Sequence, residues 1–359
     1  PEEVAEVPGG LRVLSCSYDG TAKIWCATSK ACLQSFLGHG GAVMSGEFSR
    51  DGRTLLTAGY DGCAKLWCVA SGECTRTFHG ADDLGYGVGG LYSAVFSCDE
   101  ARVLTASADG VARIWSVADG ACEWTLRGHE DAYMRCAQFS PCGAHIATAS
   151  ADATAKLWQI APQRLERTFQ GHRGWVNTSV FSPDGLLLLT ASADSTARLW
   201  RIGSGDCVGT FRGHSHFVRK AVFSREATLV VTCSSDWTAK VWSVGLLACL
   251  QTFSGHSYWV TSAALSEDES VLLTASRDHT LKLWCTSSGR CLTTLGSVWS
   301  GADYGDAGEG DAIHVDFLQD AAFVAPDDAE GASEAEAAGC GSAAAEEAPK
   351  RRRRKRCPP

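Results

Sequence analysis

Nowhere in the 359 residues does an apolar run approach the ~20 positions that span a bilayer, so no membrane-crossing helix is expected. No C-x-x-C pair occurs among the 17 cysteines, which argues against a zinc site and against any metal centre of that kind. Helix-length periodic stretches are missing as well. The apolar runs are short, rich in Val, Leu and Thr, and broken by turn residues such as Ser182-Pro183-Asp184-Gly185. Hydrophobic residues at 45% and charged residues at 20% are ordinary for a soluble globular fold. What remains is a chain of short strands.

The clearest unit is 171–200, GHRGWVNTSVFSPDGLLLLTASADSTARLW, which reads as an antiparallel meander of three strands with turns at SPDG and ADS. It recurs. Trp25, Trp67, Trp115, Trp158, Trp200, Trp242 and Trp284 stand 42, 48, 43, 42, 42 and 42 residues apart. Six residues before each lies Asp19, Asp61, Asp109, Asp152, Asp194, Asp236 or Asp278, and four before each Asp a hydroxyl: Ser15, Thr57, Thr105, Thr148, Thr190, Thr232 or Thr274. His39, His129, His172, His214 and His256 each follow a glycine upstream. This pattern over roughly 11–318 resembles the WD-repeat family of β-propellers. The Asp that names the family is absent after every Trp, which is followed instead by Cys, Cys, Ser, Gln, Arg, Ser and Cys.

The resemblance implies an all-β, seven-bladed propeller of four-stranded antiparallel blades. It also implies that each GH histidine bonds the strand hydroxyl and the turn Asp beneath the Trp. The sets are His39, Thr57, Asp61 and Trp67; His129, Thr148, Asp152 and Trp158; His172, Thr190, Asp194 and Trp200; His214, Thr232, Asp236 and Trp242; His256, Thr274, Asp278 and Trp284. Histidine, hydroxyl and carboxylate together invite a catalytic-triad reading, but five copies in one ring favour a structural network. No catalytic residue and no cofactor is assigned.

The organisation expected is a lead at 1–10, a propeller at 11–320 and a disordered Ala/Glu-rich tail at 321–359. Residues 12–25 enter the pattern at a second strand. IHVDFLQ at 313–319 reads as the missing inner strand, placing 312–318 beside 11–17 so that both termini close one blade. The tail holds seven acids and seven bases, so the net charge of −9 (32 basic, 41 acidic residues) rests on the remainder and opposes broad nucleic-acid binding. Cys32, Cys74, Cys122, Cys207, Cys249 and Cys291 each follow a blade Trp by seven residues, one per blade and too far apart to bridge. They read as small buried strand residues in a reducing compartment.

Two glycine-rich loops, 80–90 and 296–311, precede the two units that lack an in-register histidine. Gly85-x-Gly87-x-x-Gly90 is followed by a strand, so it is no dinucleotide fingerprint. Aromatics head several first strands: Tyr133, Trp175, Phe217 and Trp259. Arg135 and Arg219 follow two residues on, while Tyr18, Tyr60, Arg277 and Trp237 flank the Asp turns. In a propeller all of these emerge on one face, and aromatics with arginine are the composition of a protein-binding surface. The terminal run Lys350, Arg351, Arg352, Arg353, Arg354, Lys355 and Arg356 fits a nuclear import signal and an import receptor, or a patch for nucleic acid. Asn177-Thr178-Ser179 fits a glycosylation sequon, which carries no weight without secretion.

The function expected is a non-enzymatic scaffold or adaptor that docks partner peptides or domains of a multiprotein complex, in cytoplasm, nucleus or both. The alternatives carried with it are a substrate receptor, as in ubiquitin ligation, reading acidic or phosphorylated peptides, and an RNA-associated assembly factor using the basic tail. An enzyme would need a carboxylate pair that is not merely a repeat position, and the sequence offers none.

Overall fold

The computed structural model describes residues 10–80, 89–129, 132–296 and 318–324. Among these there is no helix, and the strands form seven four-stranded antiparallel sheets. Numbered in chain order, blades 1 to 7 carry Trp25, Trp67, Trp115, Trp158, Trp200, Trp242 and Trp284. In blade 5 the inner, second, third and outer strands are Val176–Phe181, Leu187–Ser192, Thr196–Arg201 and Cys207–Arg212.

Burial explains the composition of each strand. Second strands such as Leu187–Ser192 and Val271–Ser276 are buried on both faces between neighbouring blades, and so read as continuous runs of apolar and small residues. Outer strands bury little beyond one large residue, and that residue joins the blades. Phe36, Phe169, Phe211 and Phe253 lie 5.9, 5.7, 5.7 and 5.8 Å from Trp67, Trp200, Trp242 and Trp284 of the following blade. Leu295 of blade 7 packs in one cluster with Val13 and Trp25 of blade 1, so the apolar interfaces continue around a closed ring.

The closing strand is not at 312–318. It is Leu318–Val324, antiparallel to Arg12–Ser17 with Arg12 opposite Val324 and Ser15 opposite Ala321, and it runs past the boundary expected at 320. Residues 312–317 lie outside the described residues. The reason is legible in the other inner strands, which carry a large apolar residue first, a small one fourth and Phe or Leu sixth. Val43, Gly46 and Phe48 do so, as do Val218, Ala221 and Phe223, and Val260, Ala263 and Leu265. LQDAAF fits that template at Leu318, Ala321 and Phe323, whereas IHVDFLQ merely alternates. The fourth position is small because it faces the neighbouring second strand: a Cβ added to Gly46 would stand 2.7 Å from Cys16 Sγ.

The six repeated cysteines are exposed rather than buried. Each sits opposite its blade's Trp across a bulge in the outermost strand, where one side of the chain meets solvent. Their thiols turn to local carbonyls, Cys74 to Arg76 O at 3.4 Å and Cys207 to Gly209 O at 3.4 Å.

Candidate functional site

Five blades contain the same chain of hydrogen bonds. In blade 5, Trp200 Nε1 donates to Thr190 Oγ1 at 2.8 Å, Thr190 Oγ1 meets His172 Nε2 at 2.7 Å, and His172 Nδ1 meets Asp194 Oδ2 at 2.8 Å. The corresponding bonds are present for His39, Thr57, Asp61 and Trp67, for His129, Thr148, Asp152 and Trp158, for His214, Thr232, Asp236 and Trp242, and for His256, Thr274, Asp278 and Trp284. The indole N–H is a fixed donor and the carboxylate a fixed acceptor, so the hydroxyl accepts from the indole and Nδ1–H donates to the carboxylate. Burial alone would push these carboxyls up. The hydrogen bonds from histidine and threonine outweigh it, holding Asp152 down at about 2 and Asp194, Asp236 and Asp278 well below the usual carboxylate range. The threonine hydroxyls are buried, and each accepts the hydrogen bond of its blade's indole N–H.

The two blades without a histidine meet the turn carboxylate from their own third strand. In blade 3, Arg113 Nη2 lies 2.8 Å from Asp109, while Trp115 Nε1 still donates to Thr105 at 3.0 Å. In blade 1, Lys23 Nζ lies 3.9 Å from Asp19. Lys or Arg stands two residues before every blade Trp, so the position alone does not mark the two blades in which the base turns to the carboxylate. Where histidine is present, Lys65, Lys240 and Lys282 reach the outer strand instead, at Thr77, Thr252 and Thr294.

The loops entering the inner strands and the Asp turns share one face, called upper here. Tyr18, Tyr60, Tyr133, Trp175, Phe217 and Trp237 are exposed on it, from 39% for Tyr18 to 51% for Trp175. Trp259 is half-buried, stacked on Tyr258 with centroids 5.1 Å apart. The arginines interleave with these rings. Arg219 stands 5.9 Å from the Phe217 centroid and 4.6 Å from that of Trp259; Arg277 stands 5.1 Å from both Trp259 and Tyr18 and donates to the Tyr18 hydroxyl at 2.8 Å. Phe217, Arg219, Trp259, Arg277 and Tyr18 thus form one ladder across blades 6, 7 and 1. A second group, missed in the sequence, centres on Tyr92: its ring lies 6.2 Å from Tyr60 and 6.4 Å from Tyr133, with Arg135 above it at 4.7 Å. Trp175 belongs to neither group; among the described residues it has no ring contact.

A backbone feature places these arginines. The inner strands of blades 2 to 7 are each bulged at the second residue, shown by the register shifts Val43/Ser45, Leu91/Ser93, Met134/Cys136, Val176/Thr178, Val218/Lys220 and Val260/Ser262. The extra residue is left out of the ladder and its side chain re-aimed. Those residues are Met44, Tyr92, Arg135, Asn177, Arg219 and Thr261, and all line a central channel of about 340 Å³. Deeper in, Ser45, Glu47, Ser93, Gln138 and Thr178 each accept a backbone N–H from the next inner strand, knitting the channel wall. Asn177 is buried and donates to Val218 O at 2.8 Å, so the sequon is not available to a glycan. Burial first, then the charges of Arg277 and Arg135, loosen the Arg219 proton to about 10.

The basic run at 350–356, most of the loop at 80–90 and nearly all of that at 296–311 lie outside the described residues. The family model described as WD domain, G-beta repeat matches residues 4–26, 30–68, 72–116, 120–159, 163–201, 205–243 and 247–285. Each match ends one residue past a blade Trp, and all but the first begin ahead of the preceding blade's outer strand, so repeat and blade are one strand out of phase. No curated protein matches the chain significantly.

Proposed function

The chain belongs to the WD-repeat family, and from that premise we propose that it is a non-enzymatic interaction scaffold, docking a partner peptide or domain on its upper face. The observation that carries this reading is the ladder of Phe217, Arg219, Trp259, Arg277 and Tyr18. Large rings left in water beside arginine, as Phe217 and Tyr18 are on either side of the half-buried Trp259, are what protein interfaces are built from. Trp237 supports it: a bulky ring held at φ +72° costs about 1–2 kcal/mol relative to a relaxed backbone, and blades 1 to 3 place glycine at that turn position. The interleaved arginines favour a partner segment that is acidic or phosphorylated, the recognition step of a substrate receptor. The basic run at 350–356 is proposed as an import signal, supported by its seven consecutive bases; an unchanged cellular distribution after its deletion rejects it.

The experiment is affinity purification of the full chain beside the double variant Trp175→Ser, Trp259→Ser, with thermal stability measured on both. Partners lost at nearly retained stability is the expected outcome. A large drop in stability, with partners still bound per folded molecule, would show that these rings serve folding alone.

A further inference from the structure

We propose a binding site for a divalent metal ion of the zinc class on blade 2, formed by Cys63 and His79. Cys63 opens the third strand, Cys63–Cys68, and His79 ends the outer strand, Cys74–His79. The two stand directly opposite in the ladder, so their side chains leave the same face of the sheet. They are sixteen residues apart in the chain and meet only across the hairpin, which is why no C-x-x-C spacing announces them.

Three observations meet at this place. The first is distance: Cys63 Sγ lies 3.5 Å from His79 Nδ1. A tetrahedral ion with bonds of about 2.3 Å to sulfur and about 2.0–2.1 Å to nitrogen holds those atoms about 3.5 Å apart, whereas a linear ion would need about 4.3 Å. The second is what blade 2 forgoes. At the same position blades 1, 4, 5, 6 and 7 carry Thr21, Thr154, Thr196, Thr238 and Thr280, each donating its hydroxyl to the turn Asp at 2.6 or 2.7 Å. Cys63 makes no such bond to the Asp61 carboxylate; besides His79 its Sγ reaches only Asp61 O, at 3.9 Å. The residue opposite is Leu37, Arg212 and Ser254 in blades 1, 5 and 6, so among the described residues only blade 2 sets a thiol against an imidazole. The third is charge. Burial, then the charge of Asp61, push the Cys63 thiol up, and Lys65, whose ammonium is tied to Thr77 Oγ1 at 3.2 Å, opposes them less strongly. Surroundings that resist a bare thiolate accept one that carries a dication.

The donors define the ion. Thiolate and imidazole select zinc and its neighbours in the d-block over magnesium or calcium, which take oxygen. Asp61 is not a ligand, because its carboxylate is committed to His39 and to the backbone N–H groups of Gly40 and Cys63. No third His, Cys, Asp or Glu joins the pair among the described residues, so two positions are left to water. On binding, the S–H bond of Cys63 gives way to a sulfur–metal bond and its proton leaves to solvent, while His79 supplies the Nδ1 lone pair. The blade does not need the ion to fold: His39, Thr57 and Trp67 complete their network without it, and His79 is exposed, so the ion exchanges freely with solvent.

Titration of the full, reduced chain with cobalt(II), followed by thiolate-to-metal charge-transfer absorption and then by displacement with zinc, tests this. Cys63→Thr installs the residue that five other blades carry, and His79→Ser the residue that ends the same strand in blade 6. Cys249→Ser removes an exposed thiol that bonds Gln251 O and Thr252, with no imidazole opposite, as a control. Cobalt should bind the wild type and Cys249→Ser alike, and at least about tenfold more weakly in Cys63→Thr and in His79→Ser. Zinc should displace it and magnesium should not, and zinc should raise the Tm of the wild type but not of Cys63→Thr. Cobalt spectra and affinity unchanged in Cys63→Thr, or a loss as large in Cys249→Ser, would overturn the site. Full binding by His79→Ser would overturn it as well, since a thiolate alone is no chelate.

Discussion

His172 shows what one residue does in this ring. It arrives from the loop after one blade, holds the hydroxyl and carboxylate of the next, and keeps Asp194 ionised in a place that otherwise disfavours charge. His172→Ala leaves those partners buried and should cost about 1–3 kcal/mol in urea unfolding; Trp200→Ala, removing a buried ring, should cost about 3–5 kcal/mol. Trp237→Gly should behave oppositely. It removes a side chain from a left-handed position, so stability should hold or rise by as much as ~1 kcal/mol while partner affinity falls. A destabilised Trp237→Gly would show the ring to be packing rather than contact surface. pH should act through the same networks. Burial leaves His256 below the ordinary histidine value despite Asp278, so the unfolded chain takes that proton first. Its contribution is complete above pH ~6.5 and shrinks as pH falls below that. Asp152, held at about 2, contributes fully above pH ~4 and loses that contribution as pH falls toward its folded value. The urea midpoint should therefore be level above neutrality, decline below it, and drop more steeply under pH ~4; a rise between pH 7 and 5 would contradict this assignment. The histidines, threonines and aspartates were legible because repetition aligned them. Arg113 and Lys23 were not, because a base two residues before Trp looks the same whether it turns inward or outward.

At the scale of the strand, the inner element carries most of what the sequence hid. Its bulge leaves no compositional trace, since Met, Tyr, Arg, Asn and Thr all occupy the extra position, so the sequence placed Arg135 and Arg219 on the binding face without showing the backbone device that aims them. The closing strand was misplaced because alternation was weighed above the template of large, small and aromatic residues at its first, fourth and sixth positions. The correction changes the outcome expected of truncation. A chain ending after Asp320 loses Ala321 and Phe323 and bares the edge of Arg12–Ser17, so it should aggregate or become protease-sensitive; one ending at Pro326 keeps the whole strand and should not. Equal protease resistance in a chain ending at residue 317 would refute closure by this strand.

Across the whole molecule the repeats are bound into one ring by seven equivalent apolar interfaces, and the seven-fold count was legible from the spacing of the tryptophans. Blade 1 is the exception in connectivity, since its inner strand comes from the opposite end of the chain and is held by pairing rather than by a hairpin. Amide exchange should thus be fastest in blade 1, whose inner strand no hairpin tethers to its neighbour. Equal protection in all seven blades would mean that strand is held as firmly as a covalent hairpin. The register adds a mechanical consequence. Arg12, where the first strand begins, lies directly opposite Val324, where the last one ends. Tension applied through the two flanking segments would therefore pull both strands from the same end, parting their hydrogen bonds one pair at a time rather than shearing them together. Against a force along its own chain, this ring opens like a zip at its single clasp.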